Sequence, residues 1–199
     1  MIRDIVFDIG WVFVGIHPQP MLDFLVNHGA PRMDLNDALE QVGLGDHETG
    51  RLDGAGLIDR LAALAPRAPL AAVRQHWLDL LAPCADMMQL ARQVATQHGV
   101  YLLSNIGDLH WRHLVARYGV DRIGHGALPS FQAGVMKPDT AIYAQAERKF
   151  ALNPAATVFV DDRAQNIAAA RARGWHGIVH RNFNDTRQAL LRLGVEAAR

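Results

Sequence analysis

FDIGWV, residues 7–12, closes an apolar run that begins at Ile2. Residues 2–7 (IRDIVF) are short and rich in Ile, Val and Phe, and they stop at Asp8 followed by Ile9 and Gly10. That pattern predicts a buried strand handing a carboxylate to a loop. The same handover recurs at LLSN (102–105) and FVDDRAQN (159–166), and KPD (137–139) adds a cation in a loop. Strands are expected at 99–103 (GVYLL), ending at Ser104, at 157–160 (TVFV), ending at Asp161, and more weakly at 177–180 (GIVH).

Helical stretches separate these strands. Residues 86–98, 108–118 and 140–150 carry apolar positions at helical spacing, and 166–173 is an alanine-rich helix closed by Gly174. Strand–helix alternation with polar groups at the strand ends predicts an α/β fold, a Rossmann-like doubly wound parallel sheet with its ligand crevice at those ends. Residues 17–82 break the alternation with four helix-like segments (21–28, 35–44, 57–65 and 70–81) and no convincing strand. They read as a small helical cap inserted into a core formed by 1–16 and 83–199, placed to sit over the crevice as a lid. Residues 185–199 read as a final amphipathic helix.

Composition narrows the function. The chain has 199 residues, 50% of them hydrophobic, enough for a real core, and its 20 Lys+Arg balance 20 Asp+Glu. There is no basic footprint for nucleic acid. No stretch approaches the roughly 18 apolar residues of a membrane span. Cys84 is the sole cysteine, which excludes an internal disulfide or a cysteine-rich zinc site. The N-terminal run is interrupted by Arg3, Asp4 and Asp8, unlike a signal peptide. A soluble cytoplasmic protein is expected, a monomer or weak homodimer acting on a small molecule. Its ten histidines make charge and solubility vary between about pH 5 and 7.

The polar strings form a kit for phosphoryl transfer through an aspartyl intermediate with Mg2+: Asp8, Asp161 and Asp162, Ser104 and Asn105, and Lys137. Each residue taken alone has a plainer reading. Asp8 is a strand-end cap, Ser104 and Asn105 are turn formers, Lys137 is a solvated turn lysine, and Asp161-Asp162 is a helix N-cap. In combination, adjacent carboxylates at a strand end call for a hard cation between them.

In this order and spacing the strings resemble the haloacid dehalogenase superfamily, and within it the helical-cap phosphatases of the glucose-1-phosphate phosphatase type. The resemblance implies Asp8 as nucleophile, Lys137 as the cation that neutralises the phosphoryl group, and Ile9, Gly10, Ser104 and Asn105 as phosphate-binding positions. It implies a Mg2+ site of Asp8, Asp162, the Gly10 carbonyl and Asp161, the last directly or through water, with Asn166 orienting Lys137. It further implies a phosphatase acting on a small metabolite, a sugar phosphate first of all.

The departure from the pattern is Gly10, where most such phosphatases carry a second Asp that protonates the leaving oxygen and then activates water. General acid–base help of that kind contributes about 10²–10⁴-fold. Gly10 supplies none, so hydrolysis is expected to be slow unless another group serves. His17, just after the loop, is one candidate and His47 a poorer one. Trp11 is read either as a pocket wall or as core. Val14, Gly15, His17, Glu48 and Arg51 are the positions expected to face the pocket. Rival readings are a phosphotransferase or mutase, a binding protein with a relict site, and last a 2-haloacid dehalogenase, against which the paired Asp161-Asp162 argues.

Overall fold

The structure is a computed structural model that describes residues 1–196. The elements run β1 (Asp4–Phe7), β2 (Val14–Ile16), α1 (Gln19–Asn27), α2 (Leu35–Gln41), α3 (Leu44–Glu48), α4 (Gly54–Leu64), α5 (Leu70–Leu78) and β3 (Leu81–Pro83). They continue as α6 (Ala85–Val94), β4 (Gly99–Ser104), α7 (Asp108–Tyr118), β5 (Gly126–Pro129), α8 (Ser130–Ala133) and α9 (Thr140–Phe150). The chain closes with β6 (Thr157–Asp161), α10 (Ala164–Ala172), β7 (His176–Val179) and α11 (Phe183–Arg192).

Five strands form one parallel sheet in the order β5-β4-β1-β6-β7. β1 lies at its centre with every residue buried, Ile5, Val6 and Phe7 forming its apolar stretch after Asp4. Side chains alternate between faces. Ile5 and Phe7 of β1, Val100 and Leu102 of β4, and Val158 and Val160 of β6 join α6 and α11 residues such as Leu90 and Leu190. Val6, Leu103 and Phe159 point the other way, onto Tyr143 of α9 and Ile167 of α10. The fold is therefore the expected doubly wound α/β sandwich. Phe7 pairs with Leu102 on one side and Val160 on the other, so Asp8 leaves the sheet between the ends of β4 and β6. The strand order reverses there, and an open parallel sheet places its crevice at that point.

Helices α1–α5 bury a separate apolar cluster containing Met21, Leu25, Val42, Leu57, Leu61, Val73 and Trp77, which Leu109 of α7 joins to the rest of the molecule. The expected helix at 35–44 is broken in two, because Gly43 takes a left-handed conformation at φ +70°. The chain leaves the core through β2 and returns through β3, an antiparallel pair with Ile16 opposite Leu81. Neither strand was anticipated, nor was the edge strand β5, whose Gly126 and Pro129 leave only Ala127 and Leu128 as apolar signal. Of the expected tail helix 185–199, α11 begins earlier and ends at Arg192, ahead of Gly194 at φ +76°; residues 197–199 lie outside the described residues. Among the described residues no helix is long and apolar enough to cross a membrane.

Candidate active site

Asp8 continues β1 by one ladder bond, its N–H donating to the Val160 carbonyl at 2.9 Å, and then the chain turns sharply. The Ile9 carbonyl accepts from Phe13 N–H at 2.8 Å and Val14 N–H at 3.0 Å, which wraps residues 9–14 into a tight loop. Trp11 sits at φ 57° in that loop with 51% of its surface exposed, so it is neither pocket wall nor core. It lines an outer crevice with Cys84 and His180 instead.

Lys137, 3% exposed, is the hub. Its Nζ donates to Asp161 Oδ2 at 2.6 Å and lies 2.9 Å from Asp8 Oδ1. The loop that carries it is gripped by Asn105, whose Nδ2 donates to the Lys137 carbonyl at 2.9 Å while its Oδ1 accepts from Lys137 N–H at 2.8 Å. One N–H and the oxygen of the Asn105 amide thus hold the lysine backbone, while the residue still lines the cavity described below with its second N–H uncommitted. Asp161 is fully enclosed. Its Oδ1 accepts from Arg163 N–H at 2.8 Å and Asn166 Nδ2 at 2.9 Å, and its Oδ2 accepts from Lys137 and, at 3.0 Å, from Asn166. Asn166 therefore holds Asp161, not Lys137.

Asp8, Asp161 and Asp162 each bring an oxygen within 4.8 Å of the others. Three carboxylates against the single Lys137 ammonium leave two negative charges uncompensated at the end of the sheet. Burial pushes the Asp8 carboxyl up to about 6; Lys137 opposes that rise and Asp161 adds to it. Asp162 is raised by burial and then by Asp161. An all-oxygen donor set with surplus negative charge suits a hard divalent cation. Asp161 already accepts four hydrogen bonds, which leaves Asp8 and Asp162 as the less committed carboxylates of the three.

Above this cluster lies a cavity of about 120 Å³. Its floor is Ile9, Gly10, Ser104 and Asn105, and its walls include Val14, Ile16, Leu39, Leu44, Trp77, Leu81 and Ile106. Glu48 and His110 are its ionisable lining residues. Burial raises the Glu48 carboxyl to about 7, with the Asp8 charge adding to that rise and Lys137 and Arg163 opposing it. His110 is held neutral, lowered to about 4 by burial despite its 2.8 Å bond to the Trp77 carbonyl. His110 carried no sequence signal, since it lies in the first turn of α7 between Leu109 and Trp111, outside any of the polar strings. Of the other positions expected at the pocket, Val14 and Glu48 reach it. His17 is exposed and lies beside Gly15, away from the cavity, and Arg51 pairs on the surface with Asp46 at 2.9 Å. His47 is buried against Gly107, its Nδ1 on the Leu52 carbonyl at 3.0 Å.

A family model described as haloacid dehalogenase-like hydrolase matches residues 20–174. The chain belongs to this family. The haloacid dehalogenase-like hydrolase described above is 26% identical over 176 residues to the sesquiterpene phosphatase astK of Aspergillus oryzae (strain ATCC 42149 / RIB 40), covering 87% of each chain. Its fold is similar to that of a HAD-like family hydrolase from Porphyromonas gingivalis, with TM-score 0.82, 25% identity, and 98% of this chain and 99% of the other covered. It is also similar to the HAD family enzyme bt-2542 from Bacteroides thetaiotaomicron, with TM-score 0.82 and 19% identity over 90% of this chain and 94% of that one.

Proposed function

We propose that this hydrolase is a Mg2+-dependent phosphatase that transfers the phosphoryl group of a small monoester to Asp8 and then to water. The observation that carries the reading is the Lys137 ammonium shared between Asp8 at 2.9 Å and Asp161 at 2.6 Å, with Asp162 alongside and charge left over for a cation. The bt-2542 enzyme, alike in fold, has been crystallised with magnesium and inorganic phosphate. Asp8, Asp162 and the Gly10 carbonyl would hold Mg2+, which would supply positive charge that offsets repulsion between carboxylate and phosphate.

The chain's own groups do the rest. Asp8 is the nucleophile, and the Lys137 ammonium neutralises an equatorial oxygen. The Gly10 N–H and the Ser104 hydroxyl hold the remaining oxygens, while the Ile9 N–H donates to Asp8 Oδ1 at 2.7 Å and so fixes the nucleophile. Asn105 fixes the Lys137 loop and offers its second N–H to the phosphate, and Asp161 anchors the lysine. Residues 17–82 act as a cap over a core of 1–16 and 83–199, since the insertion contributes Leu39, Leu44, Glu48 and Trp77 to the cavity.

Those walls bear on the substrate. A sugar phosphate needs hydroxyl partners, and the wall above the phosphate position is aliphatic and aromatic. It adjoins, across Leu39 and Trp77, a second crevice lined by Met21, Leu22, Leu25 and Leu61. This supports an ester with an apolar alcohol, in keeping with the sesquiterpene phosphatase relative. The test is phosphate release from a prenyl monophosphate and from glucose 1-phosphate, with Mg2+ and with chelator. Release should need the metal, favour the prenyl ester and vanish in Asp8→Asn; undiminished release by Asp8→Asn refutes the assignment.

A further inference from the structure

Transfer through Asp8 needs a proton for the departing alcohol and a base for the incoming water, and Gly10 offers neither. Packing does not force that glycine: a Cβ built there meets only Ile16 Cδ1, at 3.8 Å. The space beside Gly10 is thus open to a group from elsewhere. Glu48 and His110 line the same cavity as Gly10. His110 is committed, its Nε2 bonded to the Trp77 carbonyl at 2.8 Å and its ring stacked on Trp77 at 4.7 Å. Its proton is spent on that carbonyl.

Glu48 is free of such ties and is held in place by its backbone. The Glu48 carbonyl accepts from Ser130 Oγ at 2.5 Å, and the same buried hydroxyl accepts from Ile106 N–H at 3.0 Å. Ile106 follows Ser104 and Asn105 directly, so one serine fastens the last residue of α3 to the loop that forms the cavity floor. Gly50 tightens the joint, because a Cβ there would lie 2.4 Å from the Phe131 carbonyl oxygen. Glu48 comes from the insertion in sequence, yet it is clamped to the core.

We propose that Glu48 is the general acid and base of the reaction at Asp8, filling the role that Gly10 leaves empty; this rests on the aspartyl-phosphate reading above. In the first step an Asp8 oxygen bonds to phosphorus, the bond from phosphorus to the ester oxygen breaks, and that oxygen takes the Glu48 proton to leave as the alcohol. In the second step water bonds to phosphorus while the Glu48 carboxylate removes its proton. The bond from phosphorus to Asp8 then breaks, giving phosphate, the Asp8 carboxylate and a reprotonated Glu48. Ester and water become alcohol and phosphate, with every proton accounted for.

The experiment compares Glu48→Gln, Glu48→Asp and Asp8→Asn on an alkyl monophosphate and on p-nitrophenyl phosphate, whose phenolate leaves without a proton. Glu48→Gln should lower alkyl-phosphate turnover by about 10²–10⁴-fold. It should spare the first step with the aryl ester, so that acid-quenched enzyme carries more trapped phosphoryl group. Glu48→Asp should retain part of the activity. Adding Gly10→Asp to Glu48→Gln should restore turnover, which a merely structural glutamate would not allow. Equal losses in the rate of phosphoryl-enzyme formation from both esters, or alkyl-phosphate turnover within about twofold of wild type, overturn the role of Glu48. If Asp8→Asn also keeps its activity, the aspartyl reading falls with it; if Asp8→Asn is dead and Glu48→Gln is not, only Glu48 is displaced.

Discussion

One ammonium stands between two buried carboxylates at Lys137, and that arrangement has an energetic consequence separate from catalysis. Replacing Lys137 by Met keeps the length and apolar stem of the side chain but leaves Asp8 and Asp161 facing one another without their cation. Removing one partner of a buried ion pair costs about 3–5 kcal/mol. Lys137→Met should therefore melt well below wild type in chelator, and Asp8→Asn in the same chain should recover part of the loss. Thermal unfolding of the four proteins of that cycle tests it; strictly additive losses would mean the two groups do not interact. The acidic and basic residues of this cluster were legible in the sequence because each follows an apolar run. The partners of the amides were not. Asn105 and Asn166 each carry donors and an acceptor, so their identity alone does not say what they bind. Asn105 turned out to grip the Lys137 backbone and Asn166 both oxygens of Asp161.

Ser130 joins elements that are far apart in sequence, α3 in the insertion and the loop after β4, through a hydroxyl with no exposed surface. Ser130→Ala leaves the Glu48 carbonyl and the Ile106 N–H without that partner, a cost of about 1–3 kcal/mol where such groups stay buried. The expected outcome is a lowered melting temperature together with a larger fall in kcat than the stability loss explains, because α3 would no longer hold Glu48 over the floor. Unchanged kcat in a folded Ser130→Ala protein would show that the clamp is not needed. No sequence pattern announces such a joint. The central parallel strands could be read because β1, β4 and β6 are largely buried on both faces and carry the apolar runs at 5–7, 100–103 and 158–160. β2, β3 and β5 are too short for any period to emerge. The division of 35–44 into α2 and α3, which aims Glu48 at the cavity, turns on the left-handed Gly43, and a glycine within an apolar helical pattern does not reveal its φ.

Across the whole molecule formal charge sums to zero, yet the C-terminal edge of the central strands concentrates three carboxylates against one ammonium. A divalent cation bound there stabilises the folded state by mass action, about 2.7 kcal/mol at a concentration one hundred times Kd. At about 2–4 °C per kcal/mol for a chain of this size, the shift in melting temperature is large enough to measure. Its pH dependence has a definite sign. Asp8 holds its proton up to about pH 6, and the Asp162 carboxyl is raised as well. The cation needs both as carboxylates, so its contribution is present above about pH 6 and is lost as pH falls through that value. A second acid-sensitive term acts in both metal-free and metal-loaded protein. His110 titrates near 4 when folded and 6.5 when unfolded. The unfolded chain therefore takes up that proton first, and the stability it confers is full above pH 6.5 and drains away down to about 4, at no more than about 1.4 kcal/mol per pH unit. Since the histidine contributes equally with and without metal, subtracting melting temperatures in chelator from those in Mg2+ removes it. What remains should rise from pH 5 to 7.5 and vanish in Asp8→Asn, and a difference independent of pH would mean that the cation binds somewhere other than the raised carboxyls.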